Sequence, residues 1–507
     1  MTTFKVYSAI PYGFSSQLIT IEGDITKGLP AFNIVGLPGR TVDESRDRIR
    51  SAIRNSLFDF PKHKIVINLA PAEVHKDTTN LDLPIALALL GLSQQLLPRD
   101  LNGNMFAGEL SLNGDLRPVK GIINIIESAQ KHHFKRVFIP AQNAHQAALL
   151  ADKIEIIPIQ NLRELWLYLK GKAHLEALSF SVKNTQKDKH KRILLDHIFG
   201  QLATKRALII AIAGRHNLLM VGPPGTGKSL LAQAAVSLLP PLSLSEQIIT
   251  TKLHALTETR TEPIAERPSR TPHHSASLAA MIGGGPQLLP GEISLAHNGI
   301  LLLDEFPEFP RDRLEALRQP LENHNIRLSR LGRTTTYPAN FMLIATANPC
   351  PCGNHGSSTH QCTCSVAQLQ SYQRKLSGPL LDRIDLQCFV QRETQDIRSV
   401  QPDSTAEHEH AAKLIQTALG NQSERYHNAV RTNSSLSSHE ITQLCHLTPP
   451  AKRLLNQYSD QYSLSARAYF KAIKVAQTIA DLESSPKITL NHIAEALQYR
   501  LDSDPTS

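Results

Sequence analysis

Cysteine is scarce in this chain, six among 507 residues, and four of the six fall between Cys350 and Cys364. That distribution excludes a disulfide-built secreted scaffold. Long apolar runs are missing as well, none reaching the ~18 residues that a membrane helix needs. The opening MTTFKVYSAI carries neither the basic start nor the apolar stretch of a secretory signal. The expectation is a soluble, cytoplasmic protein with no membrane partner. Acidic residues are outnumbered, 45 Asp and Glu against 54 Lys and Arg, for a formal net charge of +9. A positive balance points to an anionic partner beyond a nucleotide, nucleic acid first, although diffuse charge alone does not specify it.

The length suggests about three domains at ~150 residues each. One stretch has a definite chemistry. An apolar run, Leu218 to Val221, breaks into Gly222-Pro223-Pro224-Gly225-Thr226-Gly227-Lys228-Ser229 and then a helical pattern from Leu230 to Leu239. This is the complete GxxxxGK[ST] phosphate loop in its strand-to-helix setting. The glycines let several backbone N–H groups face one anion, and the following helix adds the positive end of its dipole. Lys228 is expected to reach the β- and γ-phosphates of ATP, and Ser229 to hold Mg²⁺.

Downstream, Gly299 to Leu303 reads as a strand buried on both faces, ending in Asp304-Glu305. Asp304 suits the Mg²⁺ shell and Glu305 the general base that polarises the attacking water. A second apolar strand, Asn340 to Ala347, ends in Asn348, followed by Pro349. Past a polar linker, five helical segments follow: 411–419, 438–444, 450–458, 466–482 and 490–499.

Residues 1 to about 170 alternate strand and helix patterns, with strands expected at Leu18–Glu22 and Lys64–Leu69 and helices at Asp43–Ser56 and Leu83–Leu92. The phrases FNIVGLPGRTVDESRDRIRSAI, INLAPAEVHKDTTNLDLPIAL and GELSLNGDLRPVKGI resemble the Lon-protease-like N-terminal domain of Mg-chelatase-related ATPases. Alignment with the Lon motifs puts Asn80 where the nucleophilic serine would stand and Ile123 where the lysine base would be. An amide is no nucleophile and an isoleucine takes no proton. A module that packs, oligomerises or binds a partner is expected rather than a peptidase, with Lys120 and Thr79 as the only shifted substitutes.

The nucleotide module in turn resembles AAA+ proteins. Asp196 to Gln201 looks like the adenine-side element, and Asn348 like the polar sensor that holds the attacking water. In Ser377-Gly378-Pro379-Leu380-Leu381-Asp382-Arg383-Ile384-Asp385, Arg383 matches the arginine finger offered to a neighbouring subunit. The alternative is a surface arginine paired with Asp382 or Asp385. LSARAYFKAIKVAQTIADLE resembles the second sensor, which implies Arg467 on the γ-phosphate of its own subunit; the alternative is an arginine on a helix surface.

Two insertions remain. The first, 273–297, has a glycine run and no Phe, Tyr or Trp, so His273 and His274, with nearby Arg267 and Arg270, are candidates to track phosphates rather than stack bases. The second places two CxC pairs nine residues apart, Cys350 and Cys352 then Cys362 and Cys364, a set that suits tetrahedral Zn²⁺, with His355 or His360 as substitutes.

Taken together, the chain resembles the competence-associated members of the Mg-chelatase-like AAA+ family. The resemblance implies an α/β fold: a Lon-protease-like, S5-like domain (1–170), a basic linker (171–194), a P-loop AAA+ module (195–391) with the Cys-rich insertion at 350–364, and a helical lid (392–507). It implies an ATP- and Mg²⁺-dependent homo-oligomer, a hexamer, acting on single-stranded or branched DNA as a branch-migration helicase in natural transformation. A chelatase-type metal-insertion subunit and a chaperone or protease-associated unfoldase are the alternatives. The cysteine loop and the missing dyad count against them respectively.

Overall fold

The structure, a computed structural model, describes residues 4–180, 193–330, 333–355, 361–375, 378–392 and 406–500. The linker cations Lys183, Lys187, Lys189, Lys191 and Arg192, and His360 of the cysteine loop, lie outside those residues.

The N-terminal part begins with a four-stranded sheet in the order Phe4–Tyr12, Ser15–Thr26, Lys64–Ala70, Ala31–Val35. The first two strands form an antiparallel hairpin, and Ala31–Val35 runs parallel to Lys64–Ala70. Helix Arg40–Asn55 shows the sequence its face: Val42, Ile49, Ala52 and Ile53 are buried at helical spacing. Helix Asp82–Leu92 has no polar face and is buried from Asp82 through Gly91. Its Gly91 is required, since a Cβ there would sit 2.3 Å from the Phe4 ring. A second sheet of three parallel strands, Asn104–Phe106, Arg136–Pro140 and Glu155–Ile159, completes this part.

The next part is a five-stranded sheet in the order Ser269–Arg270, Ile300–Leu303, Met342–Ala347, Leu218–Val221, Leu386–Phe389, every pairing parallel. Met342–Ala347 and Ile300–Leu303 are buried along their whole length, as strands covered on both faces must be. A two-stranded hairpin, Asn325–Arg330 with Arg333–Pro338, projects from this part and meets the N-terminal part. There the Phe14 ring lies edge-on to Tyr337, and Phe14 N–H donates to Thr335 Oγ1 at 3.2 Å. Helix Leu244–Thr257 makes the second contact: Lys252 Nζ bonds Glu127 at 2.5 Å and lies 4.2 Å from the Phe14 ring centroid.

Helices Ala406–Tyr426, Ser438–Leu444, Pro449–Tyr462, Ala466–Leu482 and Leu490–Gln498 form the C-terminal part. Asp196 ties it to the sheet part by accepting the N–H groups of Glu407 and His408 at 3.1 and 3.0 Å. Within it, Asp481 is fully buried and takes both arms of Arg425, Asn433 Nδ2 at 2.9 Å and Gln477 Nε2 at 3.1 Å. Removing one partner of such a network strands a buried charge. Asp481→Ala is therefore expected to cost about 3–5 kcal/mol in urea unfolding, and a loss under ~1 kcal/mol would contradict it.

Candidate functional site

The carboxyl end of Leu218–Val221 opens onto the crevice where parallel α/β sheets hold ligands. Gly222 N–H donates to Ala347 O at 3.1 Å, and a Cβ at Gly222 would lie 2.3 Å from Val390 O. Gly225 and Gly227 take φ of 78° and 83°, left-handed values that glycine alone adopts freely. Held at its root and open at its crown, the loop leads into helix Lys228–Leu238, whose first N–H groups have no partner within the helix. Thr226 Oγ1 braces the turn through Pro223 O at 3.0 Å.

Lys228 is buried, with Nζ donating to Gly222 O at 2.6 Å, Pro223 O at 2.7 Å and Asn348 Oδ1 at 3.3 Å. Burial pulls this ammonium below its ordinary pKa, and the nearby Asp304 and Glu305 carboxylates oppose the shift. Ser229 Oγ donates to one Asp304 oxygen at 2.9 Å, and Thr346 Oγ1 donates to the other. Hard oxygen donors side by side fit Mg²⁺. Thr346 Oγ1 also accepts the Glu305 N–H at 3.1 Å, steadying a residue at φ 53°. A left-handed non-glycine residue costs ~1–3 kcal/mol and persists only where its neighbours hold it. Three parallel strands thus bring the phosphate loop, Asp304, Glu305 and Asn348 into one cluster.

Arg383 and Arg467 lie at the amino ends of these strands. Arg383 precedes Leu386, which is in register with Leu218, so it stands where these strands begin; the phosphate loop stands where they end. Arg383, nearly buried, pairs with Glu322 rather than with Asp382 or Asp385, and Arg467 Nη1 meets the same Glu322 oxygen at 3.0 Å. Arg467 thus stands beside Arg383 on Glu322, at the strand ends away from its own subunit's phosphate loop.

The candidate phosphate contacts of the first insertion divide. Arg267 is bound to Glu246 at 2.8 and 3.0 Å and Arg270 to Glu292 at 2.6 and 2.7 Å, so both are committed to ion pairs within the fold. His273 is exposed, and its ring centroid is 4.0 Å from that of His274. The second insertion brings Cys350, Cys352, Cys362 and Cys364 together with all four sulfurs within 4.8 Å. His355 offers only its backbone N–H, at 3.3 Å from Cys350 Sγ.

At the Lon-motif positions, Asn80 is buried, donating to Ala9 O at 2.7 Å and accepting from Thr78 Oγ1 at 2.6 Å. Ile123 is fully buried core, and Lys120 Nζ turns to Thr257 O of the sheet part at 3.2 Å. Among the described residues no nucleophile and base meet there.

Three family models match consecutive parts of the chain: subunit ChlI of Mg-chelatase over 21–143, magnesium chelatase subunit ChlI over 194–397, and its C-terminal region over 405–500. Competence protein ComM of Haemophilus influenzae is 42% identical over 99% of this chain and 98% of its own. The chain belongs to the Mg-chelatase-like AAA+ ATPases that include ComM. Protein YifB of Escherichia coli is 40% identical over 99% of this chain and 97% of its own, and protein Rv2897c of Mycobacterium tuberculosis 35% over 99% of both. The family implies ATP and Mg²⁺, and the N-terminal part carries the Lon-protease-like α/β fold. No helix among the described residues is long and apolar enough to cross a membrane.

Sequence reasoning missed Glu322 and the hairpin that follows it. The alternation NIRLSR then RTTTYP, apolar in and Arg or Thr out, was the available signal; Arg327 and Arg330 are exposed on it.

Lys228→Ala is expected to weaken binding of a fluorescent ATP analogue by more than ~1.4 kcal/mol, tenfold in Kd. Glu305→Gln should keep that affinity while kcat falls about 10²–10⁴-fold. Equal loss of binding in both variants would contradict the separate roles.

Proposed function

We propose that this chain is an ATP-driven ring motor acting on DNA, a branch-migration helicase that extends the joint as incoming single-stranded DNA is integrated during natural transformation. The observation that carries this is the end-to-end similarity, at 42% identity, to a protein named for competence. The net charge of +9 and the exposed Arg327 and Arg330 support an anionic polymer as partner.

In the site, Lys228 and the loop N–H groups hold the β- and γ-phosphates while Ser229 and Asp304 hold Mg²⁺. Bound there, Mg²⁺ would supply positive charge against the negative charge that gathers on the phosphoryl oxygens. Glu305 accepts the proton of the attacking water, and the Asn348 amide orients that water. Arg383 and Arg467 reach the next copy's γ-phosphate as a pair, with Glu322 holding the two guanidiniums together at the strand ends opposite their own phosphate loop. A site divided in this way requires a closed ring, here a hexamer. The N-terminal part, 1–170, serves as a docking module without peptidase chemistry, joined by the linker 171–194 to the module 195–391 and its lid 392–507. Cys350, Cys352, Cys362 and Cys364 hold Zn²⁺: sulfurs on a tetrahedral ion with bonds of ~2.3 Å stand about 3.8 Å apart, and three of the pairs here are separated by 3.4, 3.6 and 3.8 Å.

A junction assay tests the motor reading. With ATP, the protein should move the branch point of three-strand and four-way junctions, and DNA should raise ATP turnover. Arg327→Ala and Arg330→Ala should each flatten the slope of log affinity against log salt by about one. Turnover indifferent to DNA, with no strand movement, would end the DNA reading and leave the ATPase standing.

A further inference from the structure

We infer that the four-cysteine cluster is the buttress that positions Asn348 and one wall of the phosphate loop for ATP turnover, with a thiophilic divalent metal locking it. The inference rests on the zinc and ATPase readings above and adds what the metal does for the reaction.

Asn348 lies one residue beyond the end of strand Met342–Ala347, so the ladder that fixes the strand no longer fixes it. Its amide must nevertheless hold a set place, because a misplacement of ~1 Å in a reacting group costs about 10²-fold in rate. The residues that follow supply the support. Cys350, two positions on, is fully buried, and its sulfur is 3.4 Å from that of Cys352 and 3.8 Å from that of Cys362. Gly353 N–H turns back to Cys350 O at 2.9 Å. Gly353 itself has φ 80°, and a Cβ there would stand 2.5 Å from Pro224 Cδ of the phosphate loop. The turn inside the cluster is therefore in direct contact with the loop that holds the phosphates, leaving no room for a methyl group.

The third side is Tyr372, on helix Val366–Lys375 just beyond Cys364. Its side chain is buried, and its phenol meets the Asn348 backbone. Cys362 and Cys364 lead into this helix, so a metal bound to all four sulfurs ties both ends of the insertion to one point and clamps Asn348 between Lys228 and Tyr372. None of the four cysteines is in a disulfide. They act as positioning residues, since they reach ATP only through Asn348 and Pro224.

The test uses the full chain. Metal content is measured on the protein as purified, and cobalt is exchanged in to read the absorption bands of a tetrahedral thiolate site. The metal is then withdrawn with a chelator, the fold followed by far-ultraviolet circular dichroism, and nucleotide Kd and kcat measured separately. The expected result is one metal per chain, a kcat that falls about 10²-fold in the metal-free folded protein with Kd changed less than about threefold, and recovery when zinc is returned. Should withdrawal unfold the chain, Gly353→Ala decides. It keeps all four thiols, so it should keep the cobalt bands, yet its methyl pushes on Pro224 and kcat should fall at least tenfold. Absence of metal with four freely alkylated thiols would overturn both the zinc reading and this one. Metal bound tightly, with kcat unchanged by its removal or by Gly353→Ala, would overturn the buttress alone. A zinc-loaded wild-type protein that does not turn over ATP would instead overturn the ATPase reading.

Discussion

In a parallel sheet all strands begin on one side and end on the other, and the whole arrangement follows from which of these two ends carries each side chain. The ends of Leu218–Val221, Ile300–Leu303 and Met342–Ala347 release the phosphate loop, the Asp304-Glu305 pair and Asn348 into one crevice. There Ser229, Asp304 and Thr346 form a single hydrogen-bonded chain of oxygens, and the Lys228 ammonium lies between loop carbonyls and the Asn348 amide. The amino ends of the strands hold Arg383 and Arg467 on Glu322. Strand direction alone keeps these two sets apart within one copy, which is why the proposed chemistry needs a second.

The same sheet explains how a change at the nucleotide could travel. Glu322 belongs to the short helix Arg318–Asn323 just ahead of the hairpin, and that hairpin presents Arg327 and Arg330 at its surface while its other strand packs Thr335 and Tyr337 against Phe14. A neighbour's γ-phosphate drawing Arg383 and Arg467 off Glu322 would free the root of the element whose cations, in the proposed function, meet DNA. The N-terminal part, gripped at the same hairpin and by Lys252 with Glu127, would feel the movement directly. In the proposed function, the N-terminal module without the dyad is the platform on which the hairpin and helix Leu244–Thr257 bear.

Much of this was legible before any coordinates. Phosphate loop, acid strand and the strand ending in Asn348 each couple a buried apolar run to a polar residue at its end, so pattern and chemistry coincide and their elements lie within a residue or two of expectation. The lid helices were legible for the same reason, although Ala406–Tyr426 is far longer than the expected 411–419 because its polar ends give no apolar period. What could not be read were pairings across the chain. Arg267 and Arg270 look like free cations in a loop until Glu246 and Glu292 are seen opposite them. Arg467 could be matched to a motif, but its location depends on how the lid folds back on the sheet, through His216 with Thr478 and Asp196 with the first turn of the lid. Such contacts span 262 and 211 residues of sequence and leave no local trace.

Mixing two inactive variants tests the divided site most directly. Lys228→Ala lacks the cradle but keeps its arginines, and Arg383→Ala lacks an arginine but keeps its cradle, so each alone should be silent in ATP turnover. Mixed and allowed to exchange subunits, they should regain turnover, because some seams then join an intact cradle to an intact arginine, while the double variant mixed with either should regain far less. Mixtures as silent as their parts, or an Arg383→Ala protein that turns over ATP normally by itself, would contradict a site shared between copies.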